Sequence, residues 1–436
     1  MKLSRKNISF IIMAFLLISV GFLQSWNVAL QIFNLCLISA IMTLGVNVQW
    51  GYAGLVNFGM MGFTALGGFA AVIISMPPVY EAWAVGGSSI ILGLFVLILT
   101  VITSFYVWKL NNNSVKKKYW LTAITILLGL IIMRFITDPA VLLIEAIEPA
   151  KTGYLGGFGL PILISWIVGG ILAAGAAYLV GKISLGLRSD YLAIATLGIS
   201  EIVIYVFKNE DWLTRGVKNV NGLPRPVPYE IELQSSDWFI KICDFWSLNV
   251  VDASTIFVKI CYTSLFLPVL LVFFFLSEKA LKSPWGRMMR AIRDNETAAN
   301  AMGKDITFRH LQVFILGSAI VGVAGAMLTT IDSIFTPASY QPLRFTFLIW
   351  VMVIVGGSGN NHGSILGGFI IWFFWVQSEP IGIWLINLLT SGMPDTSELK
   401  IHLIESAAHM RLMTMGIILL LMLRFAPRGI LPEEKR

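Results

Sequence analysis

The sequence predicts an all-α, polytopic membrane protein of about 10–12 transmembrane helices, and three observations predict it. Hydrophobic residues make up 57% of the 436 and charged residues only 13%, where a soluble domain carries about 25%. Apolar runs of about 20 residues, the length that crosses a bilayer core, recur from one end to the other. The basic residues gather in alternate connections between those runs. The net charge of +7 therefore reads as a topology signal, with Lys and Arg held on the cytoplasmic side, and not as a nucleic-acid surface.

By length and hydropathy the spans fall near 8–25, 29–49, 51–75, 88–108, 119–137, 161–181, 190–207, 255–276 and 308–331. Three shorter ones follow near 345–356, 364–378 and 410–425, and the first of these reads as a span or as a broken, re-entrant helix. The whole chain, 1–436, forms a single transmembrane domain. Lys2, Arg5 and Lys6 precede the first span, and Lys109 with Lys116, Lys117 and Lys118 follows the fourth. Lys182 and Arg188 separate the sixth from the seventh, and Lys279, Lys282, Arg287, Arg290, Arg293, Lys304 and Arg309 separate the eighth from the ninth. Arg424, Arg428, Lys435 and Arg436 follow the last. With the N-terminus inside, all five clusters fall on the cytoplasmic side, and an even count also places the C-terminus there. If 345–378 were one broken helix the count would be odd and the terminal cations would lie outside. The first run, after MKLSRKN, reads as an uncleaved span because no small-residue cleavage site follows it.

On the opposite side the pattern places loops at 138–160 and at 208–254, the second a long extracytoplasmic loop. Within it Trp238, Phe239, Ile242, Phe245 and Trp246 recur at helical spacing, which suits a helix lying in the membrane interface or a lid packed on the spans. Cys36, Cys243 and Cys261 include no CxxC pair and read as structural.

Helices in lipid associate through close packing of small residues, because lipid tails supply no hydrophobic drive. The stretch "GYAGLVNFGMMGFTALGGFAA" carries glycines at 51, 54, 59, 62, 67 and 68 on no single face, which suits a bent or unwound helix. Gly54, Asn57 and Gly59 are candidates for a translocation path, with tight packing as the alternative. "VGGSGNNHGSILGG", residues 355–368, cannot make a stable lipid-facing helix and reads as a tight turn or break. Gly356, Gly357, Gly359 and Gly363 are its candidate path residues, and His362 reads as a hydrogen-bonded structural group. Glu201 is an acid about two-thirds along its span. It is a functional candidate by its cost in a bilayer, unless it reaches water at the outer end. His402, Glu405 and His409 share a helical face but supply too few ligands for a metal site. No metal or cofactor is implied.

"SPWGRMMRAIRDNETAANAMG", residues 283–303, is a polar interruption within a cytoplasmic loop over 277–307. Ser283 and Pro284 form an N-cap and first-turn pair. Trp285, Met288, Met289 and Ile292 recur on one stripe, and Arg287, Arg290 and Arg293 leave from other faces. Asp294 or Asn295 caps a second short helix, Glu296 favours its first turn and Gly303 ends it. Anionic headgroups would attract the arginines but repel Asp294 and Glu296, so the mixed charge fits a protein partner better.

Taken in order, these stretches resemble the permease subunits of branched-chain amino acid ABC importers, the LivM-type inner-membrane proteins. "GRMMRAIRDNETAANAMGKD" is similar to that family's cytoplasmic signature and "VGGSGNNHGSILGG" to its late glycine turn. "GYAGLVNFGMMGFTALGGF", "LRSDYLAIATLGISEI" and "RFAPRGIL" resemble its early span, a later span and its C-terminal end. Leu55, Val56 and Asn57 depart from the Gln-Leu-Ser type usual there, and "TRGVKNVNGLP" is longer than the usual turn. The resemblance implies a multi-pass permease of a bacterial inner (plasma) membrane with both termini cytoplasmic. Its implied partners are a homologous second permease, two cytoplasmic ABC ATPases and an extracytoplasmic solute-binding protein. The implied ATPase-coupling helix includes Trp285, Gly286, Arg287, Arg290, Arg293, Asp294, Glu296, Ala298 and Gly303. The implied cargo is a branched-chain or other small apolar amino acid, with urea or a short amide as the alternative within the family. A stand-alone secondary transporter is the reading from another class, and it requires inverted repeats and several ion-coupling charges. The chain itself is not expected to be an enzyme. It has no G-x-x-x-x-G-K-[ST] phosphate loop, since Gly181-Lys182 is followed by Ile183.

Overall fold

The computed structural model describes residues 4–110, 115–149, 151–394 and 397–433. Lys2, Lys435 and Arg436, counted above among the basic clusters, lie outside the described residues. The fold is all-α, as expected from the apolar runs. α1 (Arg5–Leu23) and α2 (Trp26–Val46) each begin at a serine whose hydroxyl accepts from a first-turn amide. α2 loosens into a π turn at Asn47–Gly51. Residues 54–59 are not helical, and the helix resumes as α3 (Met60–Ser75). The expected span 51–75 is therefore unwound over its first third.

α4 (Tyr80–Leu110) and α5 (Val115–Glu145) form a hairpin. α6 (Ile162–Ser184), α7 (Ser189–Asn209) and α8 (Val250–Lys282) follow. α9 (Pro284–Asp294) and α10 (Glu296–Ala301) are the two short helices expected in the basic loop. α11 (Ile306–Asp332), α12 (Pro342–Gly356), α13 (Asn361–Leu389) and α14 (Glu398–Phe425) complete the set. Among the described residues ten helices are long and apolar enough to cross a membrane, and α3 and α12 are shorter apolar ones.

α12 and α13 are not halves of one broken helix. Gly363 and Gly367 of α13 close on the carbonyls of Gly356 and Met352 in α12, so the two lie side by side across a reversal at 357–360. The connections consequently alternate between two ends. Asn47, Lys282, Arg293, Gly359 and Glu433 meet at the basic end. At the other end Val220–Asn221 pairs antiparallel with Ile334–Phe335, and Pro78 bridges to Gly156. Burial pushes the Tyr340 phenol above its ordinary range there.

α2, α3, α6 and α11 make the centre, and α4, α5 and α14 the lipid-facing rim. The centre is built on glycine contacts, as association in lipid requires. A Cβ on Gly67 of α3 would lie 1.9 Å from the Gly322 carbonyl of α11. One on Gly322 would lie 2.6 Å from the Gly169 carbonyl of α6, and one on Gly169 would lie 3.1 Å from the Gly67 Cα. Gly45 and Gly317 close α2 on α11 in the same way. Buried Met60, Phe63 and Phe314 fill the middle of the bundle. In the long loop, Phe239 and Cys243 of the Asp237–Phe245 helix are buried, while Trp238, Ile242, Phe245 and Trp246 are exposed. That segment packs on α8 through Phe239 and Phe257 (5.7 Å) and presents its other edge outward.

Gly67→Ala should lower the thermal unfolding temperature in detergent by more than ordinary overpacking, which costs about 1–3 kcal/mol, because the clash is with backbone. Gly175→Ala, with nothing within 4 Å of its added Cβ, should be neutral or slightly stabilising, by up to about 1 kcal/mol.

Candidate functional site at the basic end

The site begins at the unwound stretch. A break in a span leaves amide groups without helical partners, and these must be satisfied inside the protein. Asn57 does this from full burial. Its Oδ1 accepts from the Gly59 amide (2.8 Å), its Nδ2 donates to Gln49 Oε1 (2.9 Å), and its carbonyl accepts from Trp350 Nε1 (3.0 Å). Gln49 Nε2 in turn donates to the Phe314 carbonyl (2.8 Å) and to Ser318 Oγ (3.0 Å) on α11. The Phe58 amide donates to Thr196 Oγ1 on α7 (3.0 Å). Gly59 sits against the Thr196 carbonyl and Gly62 against Ser200, with no room for side chains. The break is thus a defined conformation clamped by α7, α11 and α12.

A second polar cluster lies at its mouth. Asn47 Nδ2 donates to Asn361 Oδ1 (3.1 Å), and Asn47 Oδ1 accepts from the Gly359 amide (2.8 Å). The Tyr52 hydroxyl also donates to Asn361 Oδ1. Asn361 Nδ2 donates to Glu278 Oε1 (3.0 Å), and Glu278 Oε2 pairs with Lys282 (3.2 Å). Asn360 Oδ1 caps α13 by accepting from the His362 and Gly363 amides, and His362 itself meets Lys6 and the Phe274 ring. The C-terminal segment closes the cluster. The Ile430 and Leu431 amides donate to the Val355 and Gly356 carbonyls, both at 2.9 Å, finishing the open end of α12.

Arg293 of α9 joins both clusters. Its guanidinium donates to the Gly51 carbonyl and pairs with Glu433 (3.0 Å). Gly54, at φ +69°, leaves just the space that the Arg293 Cγ occupies. α9 itself is anchored by its apolar stripe. Met289 and Ile292 are fully buried, Trp285 and Met288 half-buried, and Gly286 packs on the Ala280 and Leu281 carbonyls. The outward face is therefore mostly polar and small, with Met302 exposed beside Gly303. It shows Arg287, Ala291, Asp294, Glu296, Ala298 and Gly303. Beside it runs a groove of about 1220 Å³ lined by Lys282, Arg287, Arg290, Arg293, Arg428 and Glu433, and a cavity of about 180 Å³ shares Lys282, Arg290 and Glu433 with it.

The path candidates singled out from sequence separate into three places. Gly54, Asn57 and Gly59 lie in the break. Gly356, Gly357, Gly359 and Gly363 form the α12–α13 reversal, packed on residues 429–433. Glu201 stands apart from both, half-buried on α7, with no hydrogen bond or ion pair among the described residues. Sequence reasoning missed Asn47, Gln49, Tyr52, Glu278, Asn361 and Glu433. Polar Asn47 and Gln49 at the end of an apolar run were the available signal.

A multi-pass bundle with a clamped helix break and an anchored amphipathic loop defines a membrane transport permease. The chain belongs to the family described as branched-chain amino acid transport system / permease component, whose sequence model matches residues 140–423. It is 26% identical over 361 residues to the high-affinity branched-chain amino acid transport system permease protein LivM of Salmonella typhimurium, covering 81% of this chain and 78% of that one. It is 25% identical over 404 residues to a probable LivM of Methanocaldococcus jannaschii, covering 90% of each. A 90-residue segment is 34% identical to a probable LivH permease of the same organism, covering 21% of this chain and 28% of that one. No solved structure matches the sequence.

Asn361→Leu should destabilise the protein strongly in thermal unfolding, since it removes the acceptor of the buried Asn47 Nδ2 and Tyr52 hydroxyl, at roughly 1–3 kcal/mol for each buried group.

Proposed function

We propose that this chain is the permease subunit of an ATP-binding cassette importer for branched-chain or other small apolar amino acids. It works in a bacterial inner (plasma) membrane with both termini cytoplasmic. A homologous second permease pairs with it, two ATPase subunits dock on the 277–307 loop, and a solute-binding protein delivers cargo at the face formed by 208–254. The observation that carries this reading is the construction of α9 and α10. A purely structural loop has no need of an outward face of Arg287, Asp294 and Glu296 held rigidly by a buried stripe. Such a face suits a partner of complementary charge. The basic loops gathered at the same end support the orientation. The names of the relatives support the cargo, and similarity to both LivM and LivH proteins supports the pairing.

The chain's own part is mechanical. Closure of the ATPases pushes α9, and Arg293 carries that displacement to the Gly51 carbonyl and to Glu433. The break at 54–59 then moves with the α12–α13 reversal. Clamped polar clusters of this kind switch between discrete arrangements instead of yielding gradually.

Co-purification from the native membrane should bring down two ATPases, a second permease and a binding protein that responds to leucine over urea. Recovery of the chain alone, under conditions that keep such complexes whole, would falsify the importer reading. Arg287→Glu and Glu296→Lys should lower the unfolding temperature only slightly, since exposed charges at a helix start contribute about 1 kcal/mol or less. Each should lower ATP-driven uptake by about tenfold or more, from inverted charge at the docking face. Parental uptake in both would remove the coupling role from α9–α10.

A further inference from the structure

A pocket of about 540 Å³ at the basic end shares no lining residue with the Arg293 groove or the cavity beside it. Its walls come from four places in the chain: the unwound stretch at 54–56, the turn 185–188 with the start of α7, α10, and the start of α11. Its volume lies within the roughly 300–1,000 Å³ of small-molecule sites.

The walls carry three kinds of group. Arg188 lies at the start of α7, where no side chain caps the helix. A guanidinium and the first-turn amides together make a place for one negative group, and Asp190 of that turn is outside the lining. Glu296 brings a carboxylate from α10. Leu55, Val56 and Leu192 bring apolar surface.

His310 singles this pocket out. It lines the pocket from α11, is only 6% exposed, and its buried Nε2 makes no hydrogen bond among the described residues. Glu296 Oε1 stands 3.9 Å from that nitrogen, too far for a hydrogen bond. With its proton on Nδ1, the imidazole offers Nε2 as an acceptor. Two acceptors at this separation are spaced for one ammonium nitrogen at about 2.9 Å from each. The Glu296 side chain is 64% exposed and can turn to admit it. A simple anion would meet Glu296 and a simple cation would meet Arg188. A zwitterion with an apolar side chain satisfies both charges and the apolar wall.

We propose that this pocket binds an α-amino acid with a small apolar side chain from the cytoplasmic side. Its carboxylate lies at the start of α7, its ammonium between Glu296 and His310, and its side chain on Leu55, Val56 and Leu192. The proposal rests on the importer reading and adds product feedback to it. α10 belongs to the loop that receives the ATPases, and residues 54–56 belong to the break that must move. A molecule bridging the two holds them at their present spacing, so accumulated product slows its own uptake.

Tritiated leucine should bind saturably to the whole co-purified complex without ATP or binding protein, at one molecule per copy of this chain. Isocaproate, which lacks the amine, and isoamylamine, which lacks the carboxylate, should compete poorly. Arg188→Gln should weaken leucine binding about tenfold, as expected for losing one charged partner. Thr307→Trp should fill the pocket from an exposed position on its wall and weaken binding at least as much. In vesicles with ATP on the cytoplasmic side, preloading that side with leucine should slow the parent's initial uptake severalfold. Preloading should leave both variants unslowed, and their uptake without preloading should stay near the parental rate. The site is overturned if the parent binds no leucine, if both variants bind it like the parent, or if isocaproate competes as well as leucine. Equal parental uptake with and without preloading overturns the feedback role. Absence of ATP-driven uptake in the unmodified complex is a different failure and would remove the importer reading itself.

Discussion

Everything at the basic end depends on one constraint: a backbone interrupted inside a membrane must find its hydrogen bonds within the protein. The backbone leaves helical geometry at 54–59 and reverses at 357–360, and the same few side chains serve both places. Asn47 and Asn361 bond to each other, and Asn47 also holds the Gly359 amide. Arg293 brings in the basic loop by holding the Gly51 carbonyl, and it ties that loop to Glu433. Four segments far apart in sequence are thereby one mechanical part. The low dielectric that makes an unpaired group there so costly also makes the satisfied network stiff.

The rest of the bundle is arranged so that this part can exist. Glycines at 67, 169 and 322 bring three helices into backbone contact, which gives the centre its stability without a large polar core. α11 then offers the Phe314 carbonyl and Ser318 Oγ to Gln49, and α7 offers Thr196 to the Phe58 amide. Peripheral α4 and α5 carry almost none of this load, and their apolar faces simply meet lipid.

Much of this was legible in the sequence, for identifiable reasons. Span existence follows from hydropathy, which a bilayer enforces strictly, and the runs near 8–25, 190–207 and 308–331 match α1, α7 and α11 closely. The caps at Ser283 and Asn295 were readable because capping is a local rule. The family followed from ordered motifs. The short run 364–378 grew to 361–389 because polar Gln377 and Ser378 find partners inside the bundle and on the helix itself. The clusters around Asn47 and Asn361 were not legible, since their members are separated by some 300 positions and only the fold brings them together. The glycines of 355–368 look alike in sequence; each meets a different neighbour in space, from Met352 to Leu431.

The hydrogen bonds from Ile430 and Leu431 to the end of α12 impose an order of assembly. Residues 429–433 leave the ribosome only after α1–α14 have been made. Until then the Val355 and Gly356 carbonyls are open, Arg293 lacks Glu433, and the platform of α9 and α10 has one side missing. A permease still under synthesis therefore presents an unfinished seat to anything that would bind it from the basic side. A segment that follows α14 in the chain thereby finishes the open end of α12, so this corner of the bundle closes only once α14 has been made.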